Sequence, residues 1–168
     1  MTWFEGWESY CREKVVAPDD LEARVLQWRA ENKTLASLNG SFDLLHAGHL
    51  AIIGEAARVA DILIVALNSD HSIRGYKGEG RPIIPLEYRM QMMAAVGFVD
   101  YVTWFDDPDP CRILAIIKPD VHVNGSEYGK DCIEAPVVEA GGGRVHIVDL
   151  VFGLSTTNII NKIREQCD

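Results

Sequence analysis

The sequence lacks the cysteine patterns and long apolar runs that define several protein classes. Its 168 residues include four cysteines, Cys11, Cys111, Cys132 and Cys167, which are scattered and form no CxxC pair, so neither a zinc site nor a disulfide framework is indicated. No apolar run is long enough for a transmembrane helix, and the first residues lack the basic region and apolar run of a signal peptide. We therefore expect a cytoplasmic protein that does not insert into membranes.

Positive charge is also scarce. The formal net charge is −9, with 16 Lys and Arg against 25 Asp and Glu. This balance argues against a general affinity for nucleic acid or anionic membranes, because neutralising their phosphates requires a basic surface. A small anion can still bind where a few cations are gathered. The 48% of apolar residues and the chain length fit one globular domain of ordinary size.

From Thr34 onward, short apolar runs alternate with amphipathic segments. Residues 62–67 are apolar on both faces, as is typical of a central parallel strand. Five such alternations predict a Rossmann-like three-layer α/β sandwich with a five-stranded parallel sheet. The predicted strands are 35–38, 62–67, 101–105, 121–123 and 145–148, and the predicted helices after Thr34 are 46–60, 85–98, 110–117, 133–140 and 156–165.

The domain prediction is an N-terminal arm over residues 1–17, followed by a single domain over residues 18–168. The arm is aromatic and charged without clear periodicity, which is typical of a mobile arm or of an edge that packs on a partner. Aromatic residues outside the motifs, including Trp3, Trp7 and Trp104, favour a homodimer.

The first predicted strand is followed by a polar segment that enters a helix. Ligands of parallel sheets bind beyond the carboxyl ends of the strands. His46 and His49 are three residues apart, so at a helix start both imidazoles point the same way, and Gly48 leaves one side open. Unpaired N–H groups and the positive end of the helix dipole make this a predicted phosphate site. The alternatives are ordinary cap and surface histidines, or a metal pair, for which further ligands are missing.

Residues 40–49 read Gly-Ser-Phe-Asp-Leu-Leu-His-Ala-Gly-His. This segment resembles the GxFDxxHxGH signature of the cytidylyltransferase-like nucleotidyltransferases. The resemblance implies the nucleotidyltransferase fold, with His46 and His49 binding the triphosphate and stabilising the transition state at the α-phosphorus. It implies further nucleotide or phosphate contacts by Asn39, Gly40, Ser41, Phe42, Asp43 and Gly48.

The second predicted strand is followed by a glycine-rich segment with several cations. Three glycines favour a mobile loop, and a cationic loop can close over an anionic substrate and exclude water. Solvated surface charges are the alternative. Another arginine, one turn into the next helix, can point back at the same site. These residues are Gly75, Gly78, Gly80, Arg74, Lys77, Arg81 and Arg89.

Several short motifs follow the second predicted strand: residues 68–70, Lys77-Gly78, Arg81-Pro82, residues 85–87 and Arg89. Together they resemble the adenylyltransferase domain of the heptose kinase/adenylyltransferase family. Those enzymes make ADP-heptose from heptose 1-phosphate and ATP for lipopolysaccharide or related surface glycans. The resemblance implies that Lys77 is catalytic and contacts phosphates, that Lys77 and Arg81 bind the substrate, and that Arg89 supports the phosphate site.

Two further strand exits carry polar residues. Residues 124–128 read Asn-Gly-Ser-Glu-Tyr, where the related family usually has Lys-Gly-Gly-Asp-Tyr. We predict nucleotide contacts by Asn124, Gly125 and Glu127, although the lost cation leaves substrate identity open and a plain polar turn is the alternative. The hydroxyl cluster before the last helix resembles the (I/C)STT signature, which implies contacts with the β- and γ-phosphates. Its members are Ser155, Thr156 and Thr157.

The predicted function is transfer of AMP from ATP to a sugar 1-phosphate, in particular heptose 1-phosphate, with release of pyrophosphate. Mg²⁺ is expected, held mainly by substrate phosphates, and no protein metal ligand is assigned. Because 168 residues leave no room for a kinase half, a separate sugar kinase is expected upstream. The alternatives are a cytidylyltransferase of the same superfamily, such as a CTP:glycerol-3-phosphate enzyme, and a non-catalytic nucleotide-binding module.

Overall fold

A computed structural model describes residues 3–129, 131–149 and 153–167, with side chains from residue 9 to residue 166 apart from the same gaps. Helices and strands alternate along the chain. In order, they are α1 (Trp3–Lys14), α2 (Pro18–Ala30), β1 (Leu35–Gly40), α3 (Ala47–Ala56), β2 (Ile62–Asn68), α4 (Asp70–Lys77), α5 (Leu86–Ala95), β3 (Tyr101–Phe105), α6 (Cys111–Ile117), β4 (Val121–Gly125), α7 (Ala135–Ala140), β5 (Arg144–Val148) and α8 (Thr156–Cys167).

The five strands form one parallel sheet in the order β3-β2-β1-β4-β5. The predicted five-stranded parallel sheet is confirmed. After β3 the chain returns to the other side of β1, so the strand order reverses between β1 and β4. In open sheets of this kind the ligand crevice lies at the carboxyl ends of the two strands that flank the reversal. The sheet topology therefore directs attention to the ends of β1 and β4.

Both faces of the sheet are covered, because alternate residues of each strand point to opposite faces. One core joins α1, α3 and α5 to residues such as Leu63 and Val65, and the other joins α2 and α6 to residues such as Ile62 and Ile64. This arrangement confirms the predicted three-layer sandwich. None of the described helices combines the length and the apolar character that a membrane crossing requires.

The segment that we predict as an N-terminal arm begins with helix α1 and packs against the sheet. Cys11 is buried in the first core, and the Lys14 ammonium donates to the Val99 carbonyl at 2.7 Å. The Val16 amide donates to the Val102 carbonyl at 2.9 Å, which adds the chain to the outer edge of β3. The side chains of Trp3 and Trp7 lie outside the described part of the structure.

The first part of the predicted loop after β2 is helix α4, whereas Gly78, Gly80 and Arg81 lie in the loop that follows it. The Ser69 hydroxyl accepts a hydrogen bond from the Ser72 amide and caps the helix, and Ile73 anchors it in the interior. The helix ends at Gly78, whose φ of +84° is one that glycine adopts without strain. The prediction of a loop is therefore wrong for residues up to Lys77 and right for residues 78–85, because the glycines mark both the end of the helix and the turn beyond it.

Candidate active site

A cavity of about 350 Å³ opens at the carboxyl ends of β1 and β4, which is large enough for a small ligand. It brings together residues from five segments of the chain. The lining residues are Leu38, Asn39, Gly40, Ser41, Phe42, His46, Gly48, His49, Ile52, Lys77, Asn124, Gly125, Glu127, Tyr128, Leu154, Ser155, Thr156 and Thr157. Most of the predicted site residues therefore meet in one pocket, although they are spread over 119 positions of sequence from Asn39 to Thr157.

The two histidines lie together at the start of α3. Their rings are stacked, with centroids 3.8 Å apart and an interplanar angle of 21°. Phe42 packs on the other side of His49 at 5.2 Å between ring centroids. His46 is the N-cap residue of α3, so both imidazoles stand beside N–H groups that have no partner within the helix. This arrangement presents several hydrogen-bond donors to one point in the pocket.

Three buried polar atoms in the pocket have no hydrogen-bond partner among the described residues. They are Nδ1 of His46, Nδ1 of His49 and Oδ1 of Asn39. Buried polar atoms are nearly always paired, so unpaired atoms that converge in one pocket indicate a polar ligand. Burial lowers the pKa of His46, and burial followed by the charges of His46 and Lys77 lowers the pKa of His49 to about 4. These shifts favour the neutral form of both imidazoles at pH 7.

A cation and a hydroxyl cluster complete the pocket. The Lys77 ammonium donates to the Ser41 hydroxyl at 2.9 Å, so the end of α4 is tied to the loop after β1. Burial, followed by the Arg81 charge, lowers the pKa of Lys77. At the start of α8, the Thr156 hydroxyl donates to the Leu44 carbonyl at 3.3 Å. These contacts hold the cation and the α8 N-terminus on either side of the histidines.

Two predicted binding residues, Asp43 and Arg81, lie beneath the pocket and do not line it. The Asp43 carboxylate is fully buried and accepts from the Arg81 Nε–H at 2.6 Å and from the amides of Ile83 and Ile84 at 2.8 Å. Burial alone raises the pKa of Asp43, but the hydrogen bonds from Ile84, Ile83 and Arg81 outweigh it and hold that pKa below its usual value. The pair ties the loop after β1 to the segment before α5.

Arg89 also differs from the prediction. It is fully buried, and its guanidinium donates to the carbonyls of Ile84, Ser41 and Asn68 and to the Asp70 carboxylate at 2.7–2.9 Å. A guanidinium engaged in this way has few donors left for a phosphate. Arg89 therefore positions the loops that form the pocket and does not line it.

The structure adds pocket residues that the motifs did not indicate. Leu38, Ile52, Tyr128 and Leu154 supply apolar and aromatic surface between the polar groups. Ile52 follows His49 by three residues, a spacing that places both on the same face of α3 and that was visible in the sequence. The other three had no periodic signal, since they belong to a strand end and to two loops.

Comparisons with known proteins agree with this geometry. The family model described as cytidylyltransferase-like matches residues 37–162. The bifunctional protein HldE of Hahella chejuensis is 44% identical over 82% of this chain and 29% of its own length. The bifunctional protein HldE of Proteus mirabilis is 40% identical over 90% of this chain and 32% of its own length. The chain thus spans about a third of the length of these curated relatives.

A solved structure shows the same fold. The lipopolysaccharide core biosynthesis protein from Thermoplasma volcanium aligns with a TM-score of 0.57 and 25% identity, over 71% of this chain and 97% of the other. A three-layer sandwich around a parallel sheet, with a polar pocket at the point where the strand order reverses, defines the class of α/β nucleotide-binding domains. Within that class, because the family model matches well over half of the sequence, the chain belongs to the cytidylyltransferase-like family.

The glycine between the two histidines offers a test of the His46 position. A Cβ atom at Gly48 would lie 3.0 Å from Nδ1 and Cε1 of His46. We expect Gly48→Ala to displace the His46 ring and to lower turnover about tenfold, because small misplacements of a catalytic group are costly. Stability is expected to stay the same or to rise slightly, since alanine favours the helix. Steady-state kinetics and a thermal melt of the same protein measure both effects, and unchanged turnover would contradict the importance of the ring position.

The lowered histidine pKa values predict how stability depends on pH. The unfolded chain protonates His49 near pH 6.5, whereas the folded chain does so near pH 4. Between these values the unfolded state binds more protons, so the free energy of unfolding falls as the pH falls from 6.5 to 4. Urea unfolding at several pH values measures this slope. We expect His49→Gln to show a shallower slope, and equal slopes for the two proteins would contradict the assigned environment.

Proposed function

We propose that this protein transfers AMP from ATP to a sugar 1-phosphate, with heptose 1-phosphate as the substrate, and releases pyrophosphate. The observation that carries the proposal is the meeting of His46, His49, Lys77 and the α8 hydroxyl cluster in one cavity. The resemblance of the 77–89 segment to the heptose adenylyltransferases supports the choice of ATP and of the sugar. The identity of 40–44% to proteins named HldE supports the same choice.

The reaction needs no covalent intermediate with the protein. A phosphate oxygen of the sugar 1-phosphate attacks the α-phosphorus of ATP in line, a new P–O bond forms, and the bond from the α-phosphorus to the bridging oxygen breaks. The electron pair of that bond leaves with pyrophosphate. Positioning and charge stabilisation therefore supply most of the catalysis.

The two imidazoles are placed to stabilise the transition state. His46 and His49 donate hydrogen bonds to oxygens of the α- and β-phosphates as negative charge builds there. The lowered pKa values favour neutral imidazoles, and the approach of a polyphosphate anion favours their protonated forms. The stacked pair therefore gains positive charge when the substrate supplies negative charge.

Lys77 and the α8 hydroxyls assist at the two ends of the reacting chain. Lys77 neutralises the charge of the attacking phosphate and of the leaving group. Ser155, Thr156 and Thr157 hydrogen-bond pyrophosphate beside the positive end of the α8 dipole. Asn39, Gly40, Ser41, Phe42 and Gly48 form the wall along which the nucleotide lies.

Mg²⁺ belongs to the same proposal as a cofactor that neutralises phosphate charge. Among the residues with described placement, no group of three or more His, Cys, Asp or Glu side chains is arranged to hold a metal. Glu127 lines the pocket, whereas the Asp43 carboxylate is buried against Arg81. The residues present thus fit an ion held by phosphate oxygens and water, with Glu127 as an outer partner.

The substrate also implies partners. A kinase that phosphorylates the anomeric hydroxyl of a sugar can supply a sugar 1-phosphate, and we place such a separate kinase upstream. The use of ATP suits a cytoplasmic enzyme. We also propose that the protein forms a homodimer.

The direct test is a substrate panel. Purified protein is incubated with each of the four nucleoside triphosphates and a set of sugar phosphates that includes both anomers of heptose 1-phosphate and glycerol 3-phosphate, and the products are identified by mass. We expect an ADP-sugar and pyrophosphate from ATP and heptose 1-phosphate. A CDP product from CTP and glycerol 3-phosphate, or nucleotide binding without turnover on any acceptor, would overturn the proposal.

A further inference from the structure

The end of β4 carries a buried amide that is held by a buried carboxylate. Asn124 is 4% exposed and lines the pocket, and Glu134, just before α7, is 5% exposed. The Asn124 Nδ2 donates to the Glu134 Oε2 at 3.3 Å.

The carboxylate determines which way the amide faces. An ionised carboxylate only accepts hydrogen bonds, and the side chain of asparagine has its donors on Nδ2 alone. Nδ2 of Asn124 must therefore face Glu134, and Oδ1 is directed away from it. Because Asn124 lines the pocket, a carbonyl oxygen is the group that it offers to a ligand.

A second amide lies beside it on the neighbouring strand. The parallel register that pairs Leu38 with Val123 places Asn39 next to Asn124. The Oδ1 of Asn39 is buried without a partner among the described residues. Two positions back along the strands and on the same face, Ser37 and His122 hydrogen-bond each other at 2.8 Å, which links β1 and β4 beneath the two asparagines. The floor of the pocket thus has two amide side chains beside each other on adjacent strands.

The position of this floor points to the nucleoside. Lys77 follows β2 and the histidines follow β1, whereas Asn124 ends β4 on the other side of β1. If the attacking phosphate lies at Lys77 and the α-phosphate at the histidines, the nucleoside is the part of the substrate left for the β4 side. Its available donors are an amino group of the base and the ribose hydroxyls.

We propose that Glu134 is a positioning residue that orients the Asn124 amide, so that Asn124 Oδ1 accepts a hydrogen bond from an N–H or O–H donor of the nucleoside. This inference rests on the proposed function. It makes Asn124 a specificity-determining residue, because a ligand with an acceptor in place of the donor leaves two acceptors facing each other.

Nucleotide analogues test the inference and distinguish the two donors. The ratio of kcat/KM is measured for ATP against inosine triphosphate, in which an oxo group replaces the amino group, and against 2′-deoxy-ATP and 3′-deoxy-ATP. We expect wild-type protein to disfavour one of these analogues by about tenfold, mainly through KM. If inosine triphosphate is the disfavoured analogue, the donor is the amino group of the base. If a deoxy analogue is disfavoured, the donor is a ribose hydroxyl.

Glu134→Gln should reduce this preference to about twofold, because glutamine can also donate and lets the Asn124 amide rotate. Asn124→Lys should remove the preference too, since it keeps Glu134 paired but supplies no acceptor. Glu139→Gln makes the same change at an exposed position of α7 and should keep the wild-type ratio. A thermal melt of each variant confirms that it is folded.

Two results would overturn the inference. One is a wild-type protein that uses all four nucleotides equally well. The other is a folded Glu134→Gln or Asn124→Lys protein that keeps the wild-type ratios, or whose selectivity changes only among sugar phosphates. Failure of the proposed function is a separate result, since it would appear as the absence of nucleotidyl transfer by wild-type protein with any nucleotide.

Discussion

His49→Ala is expected to lower the rate of pyrophosphate release about 10²- to 10³-fold. Removing one preorganised hydrogen-bond donor from a site of developing charge costs a factor of this size in other enzymes. The His49 ring is stacked on His46 and is in tilted contact with Phe42, so both neighbours hold its position. The measurement is steady-state turnover with the nucleotide and acceptor that the substrate panel identifies.

The matched control is His71→Ala. His71 lies in α4, its side chain is 79% exposed, and it does not line the pocket, so turnover should stay at the wild-type value. Circular dichroism of both variants separates a catalytic defect from misfolding. Turnover of a folded His49→Ala protein within threefold of wild type would remove His49 from the mechanism.

Asp43→Asn is expected to lower the free energy of unfolding by about 3–5 kcal/mol, because it breaks a buried ion pair and leaves its partner uncompensated. The side chain of Arg81 is 14% exposed, so water cannot replace the lost carboxylate. The amide nitrogen of asparagine would also face donors, namely the amides of Ile83 and Ile84 and the Arg81 guanidinium. Urea unfolding at pH 7 measures the loss.

The comparison variant is Asp20→Asn, which makes the same change in the first turn of α2, where the residue is exposed. Its effect should stay within about 0.5 kcal/mol, as for most surface substitutions. Because the pKa of Asp43 is lowered in the folded protein, its contribution is present above the unfolded pKa and is lost as the pH falls through the folded value. The difference between wild type and Asp43→Asn should therefore shrink in acid, and a constant difference would contradict the ion-pair account.

The strand–turn–helix that carries the two histidines was predictable because its geometry is local. A buried strand, a turn and a helix start determine how residues three apart are oriented, and the stacked imidazoles follow from that spacing. The alternation of apolar runs with amphipathic segments likewise predicts the parallel sheet, since only flanking helices can cover both of its faces.

Helix α4 shows where local patterns were insufficient. Its eight residues include Gly75 and are followed by Gly78, and composition alone favours a loop. The helix forms because Ser69 caps it and because Ile73 is buried against the rest of the domain. The second of these depends on the tertiary structure, so the sequence pattern could not reveal it.

The sequence by itself determined the order of the strands, the helices other than α1 and α4, the family and the residues around the histidines, because these depend on spacing within a few turns of chain. Only the tertiary structure decided which charged residues face the cavity: Lys77 does, whereas Asp43, Arg81 and Arg89 lie beneath it. It also paired Asn124 with Glu134. The physical reason is that a polar side chain faces either a ligand or a buried partner, and that partner can lie dozens of residues away, as Asp43 and Arg81 do at a separation of 38.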